Sequence, residues 1–294
     1  MAHAHASSKA DLTPVRLFDC SHIVALVTGG ATGIGEMAAS GLIQGGARVF
    51  IASRKESELK KTADRLNKLG PGKCSYIVAD LKDKKGCDDL VAKVKNETDR
   101  LTVLVNNTGA TWGAPYDDFP ESAWDKLMRL NVSSIYYMTV GLEPLLLKEA
   151  TPTNPGRVIN IASMAGITTV DVTAGDDGGL SAPGHGTFSY GPSKAACIHL
   201  SRIQASKLAP KNINVNCICP GVFPSRMTNY GMEQFTDTLL ERQPTGRVGK
   251  PEDLAGLVIY LSTLAGAHSV GNVIELDGGS TRSGWRSSKK GSKL

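Results

Sequence analysis

No run of apolar residues in this 294-residue chain approaches the length needed to span a bilayer, ~20 residues, and the opening MAHAHASSKA lacks the basic-then-apolar order of a secretory signal. Membrane insertion and secretion are therefore not expected. The six cysteines (Cys20, Cys74, Cys87, Cys197, Cys217, Cys219) lack C-x-x-C or zinc-ribbon spacing, which points to free thiols in a reducing compartment. Cys217 and Cys219 stand two apart in INVNCIC, on one face of a strand, where packed thiols are expected rather than a metal site. There is no internal repeat, no low-complexity segment and no linker that would split the chain. Acidic residues are missing from Ser280 to Leu294, which carries five basic residues, Arg282, Arg286, Lys289, Lys290 and Lys293. That tail accounts for the whole formal charge of +5, so the body is neutral and a nucleic-acid groove is not expected. Residues 1–16, with His3 and His5, are expected to be disordered.

What is present is an ordinary globular composition, 41% hydrophobic and 21% charged, with enough apolar residues for a sizeable core. Apolar, β-branched runs (IVALVTG, ARVFIAS, CSYIVAD, LTVLVNN, RVINIAS, INVNCIC and NVIELDG) alternate with helical patterns. Strands apolar nearly throughout are those of a sheet covered on both faces. The expected fold is one α/β domain over 17–279, a doubly wound, seven-stranded parallel sheet of the Rossmann type. One long helix is expected over SAWDKLMRLNVSSIYYMTVGLEPLLLKE. Two regions break the rhythm: 168–187, rich in Gly, Asp, Ser and Pro, and the stretch after Pro220-Gly221 running through FPSRMTNYGMEQFTDTLLER. Both are candidate walls of a substrate pocket, because open α/β sheets bind ligands beyond the carboxyl ends of their strands.

The first strand runs into TGGATGIG, Thr28 to Gly35, and straight on into a helix. Glycines let the backbone turn tightly beside a pyrophosphate, and the free amides of the helix N-terminus favour its charge. In this strand–turn–helix context the pattern reads as a dinucleotide site. At the end of the second strand, where an acid would select NAD, stand Ser53-Arg54-Lys55. Arg54 can pair with a 2′-phosphate through its planar fork, which favours NADP(H); the alternative is a solvated surface charge. Thr32 supplies no second cation. In FSYGPSK, Tyr190 and Lys194 are four apart, so on a helix they share one face. A cation beside a phenol favours its ionised form, which suits a general acid or base; taken alone, the pair also fits an ordinary helix start.

TGGATGIG, VNNTG (Val105 to Gly109), Ser163, YGPSK and Pro220-Gly221, in that order, resemble the short-chain dehydrogenase/reductase family over about Leu17 to Gly279. TWGAPYDDFP, RVINIAS, FPSRMT and GNVIELDGG are most similar to β-ketoacyl reductases of the rhamnolipid-pathway type. The resemblance implies that Tyr190 donates a proton to a carbonyl oxygen while hydride arrives from a nicotinamide. It implies that Lys194 holds the ribose hydroxyls, that Ser163 hydrogen-bonds the substrate oxygen, and that Asn131 holds a proton-relaying water; Asn131 also reads as a helix-kinking polar residue. It places Gly29, Thr32, Gly33, Ile34, Gly35, Ser53, Arg54, Asp80, Leu81, Asn106, Asn107, Gly109, Pro220, Gly221, Val222 and Ser225 along the cofactor, with Tyr190 and Lys194. It implies a homo-oligomer, a tetramer, and no metal.

Two departures stand out. Thr108 replaces the usual Ala of NNAG, which puts a hydroxyl at a packed place. Ser163 and Tyr190 are 27 positions apart, wider than the family's usual spacing. The insertion, with Asp171, Asp176, Asp177 and His185, reads as a specificity lid or as a surface loop, with His185 exposed. The expected activity is an NADPH-dependent ketoreductase acting on a 3-oxoacyl thioester or a polyketide-like, secondary-metabolite ketone. Alternatives are a steroid-type carbinol dehydrogenase and a non-redox NADP-binding scaffold or cyclase; an enoyl-thioester reductase is disfavoured by the presence of Tyr190. The final Ser292-Lys293-Leu294 is an address read by the peroxisomal import receptor, so peroxisomal delivery is expected through a flexible tail at 280–294, with a cytoplasmic location if the signal is unused.

Overall fold

The computed structural model describes residues 10–169, 184–234, 236–241 and 243–282. Its seven strands are β1 (Val24–Thr28), β2 (Arg48–Ser53), β3 (Lys73–Val78), β4 (Val103–Asn106), β5 (Gly156–Ile161), β6 (Ile213–Pro220) and β7 (Val273–Leu276). They pair in the order β3-β2-β1-β4-β5-β6-β7, every neighbour parallel. The helices are α1 (Pro14–Leu17), α2 (Gly33–Gln44), α3 (Glu56–Leu66), α4 (Lys84–Glu97), α5 (Glu121–Met128), α6 (Ser134–Leu147), α7 (Tyr190–Leu208), α8 (Asn229–Gln234), α9 (Thr236–Glu241) and α10 (Pro251–Ser262). No described helix is long and apolar enough to cross a membrane.

Alternation along each strand splits the core into two layers. Ala25 and Val27 of β1 join Val49 and Ile51 of β2 against Ala38 and Leu42 of α2, Leu59 of α3 and Val258 of α10. Val24 and Leu26 point the other way, with Phe50, into Leu90 of α4 and Met138 and Leu142 of α6. The inner strands β1, β4, β5 and β6 are thus buried on both faces, which is why their sequences are apolar nearly throughout, while the edge strands β3 and β7 keep partly exposed positions. Full burial of each such side chain is worth ~2 kcal/mol, so the layers hold the sheet without help from disulfides. All six cysteines are free and buried, as the spacing predicted. Burial pushes the Cys20 and Cys87 thiols up to about 11 and that of Cys74 up to about 12.

Strand order reverses between β1 and β4, so the chain leaves their carboxyl ends in opposite directions and opens a crevice there, the usual ligand position in such sheets. Three expectations need correcting. The long helix is interrupted: Arg129–Ser133 is a π-helical turn between α5 and α6. Residues 1–16 were expected to be disordered, yet Pro14–Leu17 forms a helical turn, with Pro14 at its first position where the missing N–H costs nothing. Thr108, expected at a packed place, is half-buried beside the glycine turn. Asp171, Asp176, Asp177 and the tail Arg286 to Leu294 lie outside the described residues.

Candidate active site

The glycine-rich turn is built by backbone geometry that only glycine adopts easily. Gly29 and Gly33 have φ of +66° and +56°, in the left-handed region. A Cβ on Gly29 would come 2.8 Å from Asn107 Nδ2, and one on Gly35 would come 2.4 Å from both that nitrogen and Gly29 O. Asn107 is the latch of the turn. Its Nδ2 donates to Thr28 O (3.0 Å) and Gly29 O (3.2 Å), and its backbone N–H donates to Thr28 Oγ1 (3.0 Å). The latch ties the end of β4 to the end of β1, and the N-terminus of α2, Thr32 to Ile34, lines the crevice, where its first amides have no intrahelical partner.

That crevice has a volume of about 840 Å³ and takes in Gly29, Thr32, Gly33, Ile34, Ser53, Arg54, Asp80, Leu81, Asn107, Gly109, Tyr190, Lys194 and Ser225. Thr108 lines it too. Of the expected cofactor residues, Gly35 lies beneath the turn rather than on the wall, and Asn106 points inward to Asn160 Oδ1 (2.9 Å) and Thr139 Oγ1 (3.2 Å). Pro220, Gly221 and Val222 line a second cavity instead, about 490 Å³, with Ser163, Met164, Phe188 and Tyr190. His185 is half-buried, not exposed, and lies on neither wall.

Tyr190 is the first residue of α7 and lies on the wall common to both cavities, with Ile34, Ala162, Ser225 and Met227. Lys194, one turn on, is 4% exposed and its Nζ donates to Ile161 O at 2.9 Å, 5.6 Å from the centre of the Tyr190 ring. No carboxylate pairs with it in the described bonds, so the ammonium keeps donors free toward the crevice. Ser163 follows the end of β5 in extended conformation and caps the 3-10 turn Met164–Gly166, its Oγ accepting from Ala165 N–H at 3.2 Å. A Cβ on Gly166 would lie 2.6 Å from the Lys194 carbonyl carbon, so this turn presses against α7 and places Ser163 beside Tyr190 in the second cavity.

The π turn explains itself at Asn131. Fully buried, Asn131 accepts from Ala110 N–H (2.9 Å) and donates through Nδ2 to Ala110 O (3.0 Å) and Ser193 Oγ (2.9 Å). Ser193 in turn donates to Tyr190 O at 2.7 Å. One extra residue in the turn swings the amide off the helix axis to reach these partners, a common use of π turns at functional sites. A Cβ on Gly109 would sit 3.2 Å from Asn131 Oδ1 and 3.4 Å from Lys194 Nζ, so the bare glycine separates the two polar groups. Ser193 was missed by sequence reasoning, although it lies within the quoted YGPSK.

A second missed feature spans the crevice. Arg226, just after Ser225, reaches Glu58 of α3 at 2.7 Å, and this bond holds the Glu58 carboxyl below its ordinary value. A Cβ on Gly33 would meet Ser225 Cβ at 3.1 Å, so this strap passes directly over the glycine turn. Among the described residues no cluster of three or more His, Cys, Asp or Glu could hold a metal.

A parallel sheet with a glycine turn at its switch point and a Tyr–Lys–Ser–Asn set beside it defines a dinucleotide-dependent oxidoreductase. The chain belongs to the short chain dehydrogenase family, whose profile matches residues 23–234. It is 44% identical over 264 residues to the rhamnolipids biosynthesis 3-oxoacyl-[acyl-carrier-protein] reductase of Pseudomonas aeruginosa, covering 89% of this chain and 97% of that protein. It is 31% identical to the 3-oxoacyl-[acyl-carrier-protein] reductase of Thermotoga maritima (87% and 96% covered) and 32% identical to a 2-dehydro-3-deoxy-D-gluconate 5-dehydrogenase of Dickeya dadantii (89% and 96%). A solved Pseudomonas aeruginosa RhlG/NADP active-site complex superposes with a TM-score of 0.83 at 43% identity, over 90% of this chain and 98% of that one.

Proposed function

We propose that this protein is an NADPH-dependent ketoreductase whose substrate carries its ketone on an uncharged, largely apolar portion, a 3-oxoacyl thioester or a polyketide-like secondary metabolite. The observation that carries the reading is the meeting of the two cavities at Tyr190: one built for a dinucleotide, the other lined by Ser163 and by apolar groups. NADPH, when bound, supplies the hydride. The cradle fits it: left-handed glycines where a side chain would intrude, helix amides facing the crevice, and Arg54 and Lys55 on its wall. Tyr190 donates its phenolic proton to the carbonyl oxygen, and Ser163 donates a hydrogen bond to the same atom. Lys194 would hold the ribose hydroxyls with the donors that Ile161 leaves free, and a water held near Asn131 would relay the proton back through Lys194.

Charge separates this reading from a sugar-acid dehydrogenase, the activity named for several relatives. No charged side chain lines the described part of the second cavity, and the sequence from Met164 to Ser193 contains no Lys or Arg and three Asp. A substrate carboxylate would enter the described part of the cavity without a charged partner, an unfavourable burial. The test is NADPH oxidation with acetoacetyl-CoA, longer 3-oxoacyl-CoA esters, cyclic ketones and 5-ketogluconate. Reduction of the sugar acid ahead of every thioester and ketone would reverse the assignment, and tight NADPH binding without turnover of any would favour a scaffold or cyclase.

Arg54→Ala is expected to raise KM for NADPH by at least about tenfold while leaving KM for NADH nearly unchanged, since a charged bidentate contact to a 2′-phosphate is the only part of the two cofactors that differs. Equal effects on both cofactors would make Arg54 a surface charge. A homo-oligomer, a tetramer, is supported by exposed Tyr136 and Val140 on α6 and Ile203 on α7, and light scattering that gives a monomer mass would refute it. Peroxisomal delivery rests on Ser292-Lys293-Leu294: a fluorescent fusion bearing this free terminus should enter peroxisomes, and one that stays diffuse would end the proposal.

A further inference from the structure

We infer that Phe188 is the specificity-determining wall of the substrate cavity, and that Tyr116, outside the cavity, sets the position of its ring; the inference rests on the ketoreductase reading. Phe188 lines the second cavity two residues before Tyr190. Its ring lies on Gly186 so closely that a Cβ there would come 2.3 Å from Cζ and 2.7 Å from Cε2. The Tyr116 ring meets it edge to face at 5.0 Å and 80°, and the Phe119 ring at 6.0 Å and 79°. This is the preferred geometry of aromatic pairs. The backbone is clasped at the same place, where Ala114 N–H donates to Gly186 O (3.2 Å) and Gly186 N–H to Ala114 O (3.0 Å).

Phe223 on the same wall is likewise packed on a glycine, with Cζ 2.3 Å from where a Cβ on Gly249 would stand, but it enters none of the described ring pairs, and the other large apolar groups behave differently. Met164 and Met227 carry flexible thioether side chains that repack around a ligand, and Ile167 and Met227 are 41% and 40% exposed. Phe188 is the member whose ring is pinned from behind by two rings and a glycine floor. A pinned ring cannot yield to a bulkier substituent at the carbonyl carbon, so it limits what can be bound close to Tyr190. Tyr116 is 81% exposed and does not line the cavity, so it acts on substrate choice only through Phe188.

The experiment compares kcat/KM for 3-oxodecanoyl-CoA with that for acetoacetyl-CoA. Phe188→Ala is expected to raise this ratio about tenfold, the scale of a change of one or two methylenes of fit. Tyr116→Ala should move it in the same direction by a smaller factor, through KM of the long substrate, while Tyr116→Phe, which keeps the ring, leaves it at the wild-type value. An unchanged ratio in Phe188→Ala, or a Tyr116→Ala effect that lowers kcat equally for both thioesters, overturns the inference. If the wild type reduces neither thioester, the thioester form of the ketoreductase reading fails by itself. The wall is then still read by calorimetry on the NADPH-bound protein: Phe188→Ala must tighten 2-octanone relative to 2-pentanone, and equal Kd ratios in wild type and variant refute it.

Discussion

Replacing Tyr190 by phenylalanine is expected to lower kcat for ketone reduction about a thousandfold, with NADPH affinity nearly unchanged. General acid catalysis contributes roughly 10²–10⁴ to a rate, and Phe removes the phenolic proton at the junction of the two cavities while keeping the ring that forms their shared wall. The rest of the assembly does not depend on that hydroxyl. Lys194 is anchored on Ile161 O, Ser193 holds the Tyr190 carbonyl rather than its phenol, and Asn131 is held by Ala110. Stopped-flow reduction at saturating substrate, with NADPH fluorescence titrated separately, reads the two quantities apart. A variant that retains turnover within tenfold would place the proton donor elsewhere; a parallel loss of NADPH affinity would make Tyr190 a cofactor-binding group first.

Gly35→Ala should cost NADPH affinity about a hundredfold. The added methyl would lie 2.4 Å from Gly29 O and from Asn107 Nδ2, far inside contact distance, and the first of these is backbone that cannot turn aside. Either the Asn107 latch to Thr28 O and Gly29 O opens or the turn shifts away from α2, and both move the amides that face the crevice. A forced shift of this kind costs typically 1–3 kcal/mol, and one unit of 1.4 kcal/mol is already tenfold in binding. Gly256→Ala in α10 is the matched control. Nothing lies within 4 Å of a Cβ there, so it should bind NADPH normally and gain slightly in stability from better helix propensity. Normal NADPH affinity in Gly35→Ala would mean that the turn has slack that these contacts do not suggest.

Much of the molecule was legible before the structure. Inner strands buried on both faces leave apolar runs that no surface constraint interrupts, the edge strands β3 and β7 were visible from their β-branched apolar residues, and parallel pairing followed from the helices between them. The glycine turn was legible because its requirements are local: a left-handed φ at Gly29 and Gly33 admits few residues, and the strand before and helix after are adjacent in sequence. Tyr190 and Lys194 were legible as a pair because one helical turn joins them.

Other parts depended on partners far along the chain. Periodicity carried the helix from Ser122 straight through Asn131, because a single extra residue in a turn barely disturbs an apolar pattern; the π turn exists for a bond to Ala110, 21 positions away. Asn106 and Asn107 are indistinguishable as neighbours in VNNTG, and only the alternation of β4 into the crevice sends one amide inward to Asn160 and the other to Thr28. Pro220 to Val222 border the second cavity rather than the first because β6 lies two strands beyond the crevice.

The sequence alone therefore determined the fold, the dinucleotide turn and the pairing of Tyr190 with Lys194, since each follows from short-range geometry or from burial of the strands, while Asn131 and Ser163 were named only through the family resemblance. Tertiary structure alone decided that Tyr190 joins two cavities, that Ser193 links it to Asn131, that Arg226 crosses to Glu58 and that Tyr116 pins Phe188. The reason is physical: most of these contacts join segments distant in the chain, and the bonds and ring contacts that form them constrain position in space, not residue spacing.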